Sequence, residues 1–229
     1  SVGDALGVYP TNREEDVQHW LTATGFDAEL PITIDGGELP LGTALASHYD
    51  ICRVTDDLLR FVAERRGDKP AIKLLRGPDT ATRERWLQGR NALDVLREFP
   101  VRAGIEEWQQ VLIRLTPRQY SISSSPLVSP KSIALTVSIV RFQGPDGSAR
   151  GGVGSTFLAD RAQRLPVPIF LQKSPHFRPP DSSDTPMIMV GPGTGIAPFR
   201  GFLQERRALG HSGPNWLFFG DQHRTQHFY

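Results

Sequence analysis

The stretch "MIMVGPGTGIAPFRGFLQERRAL", Met187 to Leu209, decides how this chain is read. A short apolar segment leads through a glycine loop into an amphipathic helix, and "WLFFG" follows at Trp216–Gly220. Strand, loop, helix and strand in about 30 residues make one βαβ unit, with both strands expected to be buried. Such a loop aims backbone N–H groups and a helix N-terminus at an anion, commonly phosphate. The glycines are Gly191, Gly193 and Gly195. Ile196 occupies the place of the third glycine of the dinucleotide fingerprint, so the loop departs from that pattern. No Asp or Glu ends "WLFF" to hold a ribose 2′-hydroxyl, which favours NADP over NAD.

Upstream, "HFRPPDSSDTP" (His176–Pro186) reads as a linker and "VPIFLQ" (Val167–Gln172) as a strand. "SIALTVSIV" (Ser132–Val140) alternates strictly, with Ile133, Leu135, Val137 and Ile139 on one side, and predicts a half-buried antiparallel strand. The turn-rich "GPDGSARGG" follows it, and "GGVGST" then runs into "TFLADRA", a short helix whose first N–H groups suit phosphate. In "TPRQYSISSSP" (Thr116–Pro126), extended backbone puts Arg118 and Tyr120 on one side, Gln119 and Ser121 on the other. Arg118 suits a diphosphate, Tyr120 offers a flat face to an aromatic ring, and Ser121 offers a hydroxyl beside that ring.

Before Pro117 the chain reads mostly helical. In "TNREEDVQHWLTATG", Asn12 and Glu15 have the spacing of a capping box, Val17, Trp20 and Leu21 share a face, and Gly25 ends the helix. "VTDDLLRFVAERRG" repeats the plan from Thr55 to Gly67. Further helical pieces are predicted over Thr82–Gln88, Asn91–Glu98 and Ile105–Leu112.

The bulk properties exclude several classes. At 229 residues the chain can hold one or two domains, and a net charge of +1 points to neither nucleic acid nor an anionic membrane. No apolar run approaches the ~20 residues of a membrane span. The single cysteine, Cys52, rules out a disulfide within the chain, fits a reducing cytoplasm, and is expected to be packed rather than reactive. The chain begins at Ser1 and its only methionines are Met187 and Met189, so it reads as processed or as a fragment. His223 and His227 lack a cysteine or carboxylate partner, and no metal site is expected. The charge runs "AERRGDK" and "QERRAL" are expected to be solvated helix faces.

Taken in order, "RQYS", "GGVGSTFLADR" and "MVGPGTGIAPFRGFLQER" resemble the diflavin reductases built on a ferredoxin–NADP reductase module. "GDALGVYPTN" (Gly3–Asn12) and the helices after it resemble the opening and connecting insert of that family, and "NWLFFG" is similar to its sulfite-reducing branch. The resemblance covers essentially the whole chain. It implies an antiparallel FAD-binding β-barrel over residues 1–183, with a helical insert at about 11–112, followed by an incomplete parallel α/β NADP-binding domain over 184–229. It implies hydride transfer from NADPH to FAD, with FMN on a separate flavodoxin-like domain or chain and a hemoprotein acceptor such as the sulfite reductase beta component. A cytochrome- or nitrate-reductase-type acceptor, or a non-catalytic flavin- or nucleotide-binding fragment, are the alternatives. Carried over by position, Arg118 binds the FAD diphosphate, Gln119 lies in the same cofactor-binding run, Tyr120 stacks on the flavin, and Ser121 is the catalytic serine near the hydride-accepting atom. Thr136, Val137 and Ser138 line the flavin and ribose side. Phe142 takes the place of a tyrosine near the adenine, and Gly152, Val153, Gly154 and Ser155 form a second diphosphate loop. Gly193, Thr194 and Gly195 approach the NADPH diphosphate. Cys52 stands where bacterial relatives carry a threonine near FAD. The family's 2′-phosphate grip and nicotinamide contacts correspond to sequence beyond Tyr229, so this chain alone is expected to bind NADPH weakly and not to complete turnover.

Overall fold

The computed structural model describes residues 1–222. The chain mixes helices with short, mainly antiparallel strands and divides into two compact units. One comprises Ser1–Tyr9, Pro117–Ser138 and the chain from Pro166 on; the other comprises Pro10–Thr116 and Ile139–Leu165.

The second unit is built from helices that local signals start and stop. After strand β1 (Ala5–Val8), which belongs to the first unit, α1 spans Glu14–Thr24 and ends at Gly25 in the left-handed region, as the sequence predicts. Its start differs from prediction. Asn12 caps nothing: its Nδ2 donates to the carbonyls of Leu45 and Tyr49, both at 2.6 Å. Arg13 takes the N-cap position, and its guanidinium donates to Asp16 at 2.9 Å. A buried asparagine bridging two distant carbonyls satisfies groups that water cannot reach, which outweighs a cap worth about 1 kcal/mol. A hairpin of β2 (Pro31–Ile34) and β3 (Gly37–Pro40) leads into α2 (Leu41–Ser47); none of these three stands out in the sequence pattern. Then α3 (Asp56–Arg66) starts where Thr55 Oγ1 accepts from the Leu58 amide at 3.1 Å and stops at Gly67. Helix α4 (Lys69–Arg76) is capped by Asp68 and α5 (Thr80–Leu87) by Asp79. Asn91 and Asp94 form a full capping box on α6 (Ala92–Glu98), and α7 covers Ile105–Val111. Trp108 is fully buried at the centre, edge-on to Trp20 (5.6 Å between centroids) and Phe61 (4.9 Å).

In the first unit, β1 lies between β4 (Arg118–Ser121) and a later strand (Ile169–Gln172), antiparallel to both. The predicted strand Ser132–Val140 is absent: its only ladder contact is an isolated bridge between Leu135 and Ile122. Alternation alone does not make a strand, because the N–H and C=O groups also need a neighbouring edge to pair with. The turn-rich region folds as a hairpin in the second unit, β5 (Arg141–Gln143) with β6 (Ala149–Gly151). A one-turn helix α8 (Val153–Thr156) then continues as a π-helical turn over Phe157–Arg161. The strand Ile169–Gln172 is β7.

The βαβ unit forms as predicted. Strands β8 (Met187–Val190) and β9 (Asn215–Phe218) pair in parallel, joined by a 3₁₀ turn (Gly193–Ile196) and α9 (Ala197–Ala208). The strands are not buried as expected. Met187 and Met189 pack with Phe202 and Val2, but Ile188 is 76 % exposed, Val190 66 % and Trp216 62 %. One helix covers one face of a two-stranded sheet and leaves the other bare. The run "QERRAL" is not solvated throughout either: Arg206 is buried and donates to the carbonyls of Thr185 (2.8 Å) and Gly213 (3.1 Å). Among the described residues no sheet closes on itself, and no helix is long and apolar enough to cross a membrane.

The start of the chain is pinned within the first unit. Buried Asp4 accepts from the Ser174 amide at 3.0 Å and from the Arg178 guanidinium, which also donates to the Val2 carbonyl at 2.7 Å. Burial pushes the Asp4 carboxyl up, but the Ser174 amide and the Arg178 guanidinium pull it down, below the usual carboxylate range.

Candidate functional site

Strand β4 carries its side chains as predicted. Arg118 and Tyr120 are half-buried on one side, and Gln119 and Ser121 are exposed on the other. Burial raises the Tyr120 phenol, partly offset by the Arg118 charge, so the ring stays neutral at physiological pH. The register sets Ser121 opposite Ala5 and Arg118 opposite Val8. Three buried serines follow, Ser123, Ser124 and Ser125. They knit the end of β4 to the extended segment that holds Thr136, Val137 and Ser138: Ser123 N–H donates to the Ala134 carbonyl and Ala134 N–H to Ser124 Oγ, both at 2.9 Å.

The glycine loop belongs to the same unit. Gly193 has φ +55°, a conformation other residues rarely adopt. At Gly191 a Cβ would stand 2.9 Å from the Gly195 carbonyl oxygen and the Ile196 backbone, so only glycine lets the strand turn this close to the helix start. The amides of Gly193 and Gly195 already donate, to the carbonyls of Gly220 (2.9 Å) and Pro192 (3.0 Å). What these glycines supply to a ligand is close approach, while Thr194 and Gly195 face solvent.

Phe142 and the turn Gly152–Ser155 lie in the other unit. The turn is closed from within: Gly152 N–H donates to the Val140 carbonyl at 3.0 Å, Val140 N–H to Ser155 Oγ at 3.1 Å, and Thr156 Oγ1 to the Gly152 carbonyl at 2.9 Å. Phe142 is 41 % exposed beside a cleft of about 330 Å³ lined also by Arg13, Arg141, Arg150 and Thr156. Each of those arginines already has a carboxylate. Arg13 pairs with Asp16, Arg141 with Asp160, and Arg150 makes a buried two-pronged pair with Asp94, one arm at 2.7 Å. Arg161 holds the carbonyls of Thr11 and Asn12, both at 2.8 Å.

The Asp94–Arg150 and Arg161 anchors escaped the sequence reading. Their signal is faint: single arginines beside glycine-rich turns, with acceptors tens of residues away. Cys52 behaves as expected. It packs against the helical core, and burial, then the Asp16 charge, push its thiol up and out of the reactive range. His223 and His227 lie outside the described residues, and among the described ones no cluster of His, Cys, Asp or Glu is arranged to hold a metal.

Taken by itself, β4 carries an aromatic ring and a cation on the same side, chemistry able to face a ring and a phosphate. Comparison with known proteins agrees. Residues 1–157 match the family model described as FAD binding domain, and residues 189–229 match that described as oxidoreductase NAD-binding domain. The chain is 39 % identical over 230 residues to the sulfite reductase (NADPH) flavoprotein alpha-component of Bacillus subtilis (strain 168), covering 99 % of this chain and 38 % of that protein. It is 39 % identical over 227 residues to the protein of the same name from Serratia proteamaculans (strain 568), covering 99 % of this chain and 37 % of the relative. This chain therefore spans a little over a third of the length of the curated relatives it matches.

Proposed function

Because this chain belongs to the family of FAD-binding domains, we propose that it is the flavin module of an NADPH-dependent reductase whose natural polypeptide passes electrons through FMN to a sulfite reductase hemoprotein. The observation that carries the reading is that β4, with Arg118, Tyr120 and Ser121, and the glycine loop Gly191–Pro198 belong to one compact unit. Bound FAD supplies the chemistry, accepting hydride from NADPH and releasing electrons singly.

The protein's part is to bind and orient. Arg118 neutralises the FAD diphosphate, Tyr120 covers one face of the ring, Gln119 borders the flavin from the same strand, and Ser121 offers its exposed hydroxyl where hydride arrives. Thr136, Val137 and Ser138 border the flavin and ribose, and Phe142 the adenine. Gly152, Val153, Gly154 and Ser155 form the second diphosphate loop, with the amides of Val153, Gly154 and Ser155 as its helix-start donors and Gly152 turning the chain into them. Gly193, Thr194 and Gly195 let the NADPH diphosphate come close to α9. The functional boundary falls near residue 184, with the flavin part at 1–183, its helical insert at about 11–112, and the nucleotide part at 184–229. A closed flavin barrel is part of this reading; supporting it is the order β4-β1-β7, in which the first strand sits between two that come much later. A flavodoxin-like FMN domain and the hemoprotein are the partners, and the cytoplasm is the compartment.

The test is the full natural polypeptide. It should purify yellow, with noncovalent FAD in near-equal amount. Arg118→Ala should weaken FAD binding by about 1.5–3 kcal/mol, or roughly 10–150-fold, through lost charge-assisted hydrogen bonds. Flavin that is released as FMN alone, or FAD held equally through dialysis by the variant, would sink the assignment.

A further inference from the structure

The serine run after β4 is fixed from its other side by α9. Arg200 Nη1 donates to the Ser123 carbonyl at 2.8 Å. The Ser125 amide donates to Gln204 Oε1 at 3.0 Å, and Ser125 Oγ donates to Glu205. Arg200 and Gln204 are one helical turn apart and so reach the same segment from one face. The contact is close along its length: a Cβ on Gly201 would stand 3.3 Å from the Ile122 carbonyl oxygen. Ser123 and Ser125 are almost completely buried, so water does not compete for these hydrogen bonds.

The two ends of this connection are the two ends of the proposed chemistry. Ser121 lies two residues before Ser123. The 3₁₀ turn Gly193–Ile196 runs directly into α9, with Arg200 in its first turn. A helix transmits position rigidly over this distance, whereas a loop joined only through the chain would not.

We propose that Arg200, Gln204 and Glu205 are positioning residues that, through Ser123 and Ser125, hold the glycine loop in fixed register with Ser121, so that a dinucleotide seated on the loop meets the flavin side at one distance. The inference rests on the reductase reading. None of the three touches the reacting atoms; they act through the serine run.

The test uses the full natural polypeptide with FAD bound, comparing wild type with Arg200→Met, Gln204→Ala, Ser125→Ala and the conservative Arg200→Lys. The first readout is amide hydrogen exchange without NADPH. Gln204→Ala should speed exchange at Ser125 at least tenfold, with amides of β1 and β7 unchanged. The second is the single-turnover rate of flavin reduction at saturating NADPH. It should fall at least ~10-fold in Arg200→Met and Ser125→Ala with FAD affinity unchanged, against the ~100-fold that a 1 Å misplacement can cost. The primary deuterium isotope effect at the transferred position should change with it, and Arg200→Lys should recover most of the rate. A merely structural role would lower thermal stability and leave the isotope effect at the wild-type value. Wild-type rates and isotope effects in Arg200→Met and Ser125→Ala, or unchanged exchange at Ser125, overturn the inference alone. A wild-type flavin that NADPH does not reduce overturns the reductase reading and the inference with it.

Discussion

Helix α3 is apolar on one face and strand β8 on both, and they meet different fates. Leu58, Leu59, Val62 and Ala63 of α3 all lie in the helical core with Leu75 and Trp108. On β8, Met187 and Met189 find Phe202, while Ile188 and Val190 face solvent beside Trp216 and Phe218. One region therefore closes its own core, and the other closes half of one. The helices share a broad apolar core, whereas the βαβ unit has few buried apolar residues and the hydrogen bonds that tie α9 to the serine run.

The largest effect should come from the closed core. Trp108→Ala removes a fully buried ring packed on two others and should cost about 3–5 kcal/mol, read as the urea midpoint by circular dichroism. A loss under about 1 kcal/mol would mean that the helical core collapses around the gap and is not the tighter of the two. Met189→Ala should cost about 2–3 kcal/mol. In contrast with Trp108→Ala, the loss should appear as faster hydrogen exchange confined to β8, α9 and β9. Equal acceleration across α1–α7 would erase the distinction between the regions. Smallest is Thr55→Ala, which removes the α3 cap and should cost about 1 kcal/mol. A neutral result would show that packing, not capping, sets where α3 begins.

The same contrast explains what could be read from sequence. Thr55, Gly25 and Gly67 act on their own neighbours, so the helix ends they set are visible in a few letters. Asp68 and Asp79 are caps of the same kind, available to any reading that tests each Asp ahead of a helix. Asn12 has the right letter and spacing, but Leu45 and Tyr49 claim its side chain from over thirty residues away. Ser132–Val140 alternates as a strand should, yet a strand requires an edge to pair with, and sequence does not announce the edge. Around the candidate site, the strand that carries Arg118 and Tyr120 and the glycine loop ahead of α9 were legible as local structure, because alternation and glycines act on their own neighbours. The supports were not: Arg200 and Gln204 look like any polar helix face, and only the fold brings Ser123 and Ser125 beneath them.

Strand β1 has a consequence for how the protein is made. Residues 5–8 pair with residues 118–121 and 169–172, and every contact that holds them in a sheet is encoded more than a hundred residues downstream. At a synthesis rate of ~5–20 residues per second, β1 waits roughly 8–30 s for its second partner strand to be made. The helices of residues 14–111 have all been translated by then and can condense on one another without β1. The helices can therefore assemble before the sheet, and β1 finds both partners only after residues 169–172 have been released. Slowing translation after residue 116 would lengthen the time for which β1 stays unpaired.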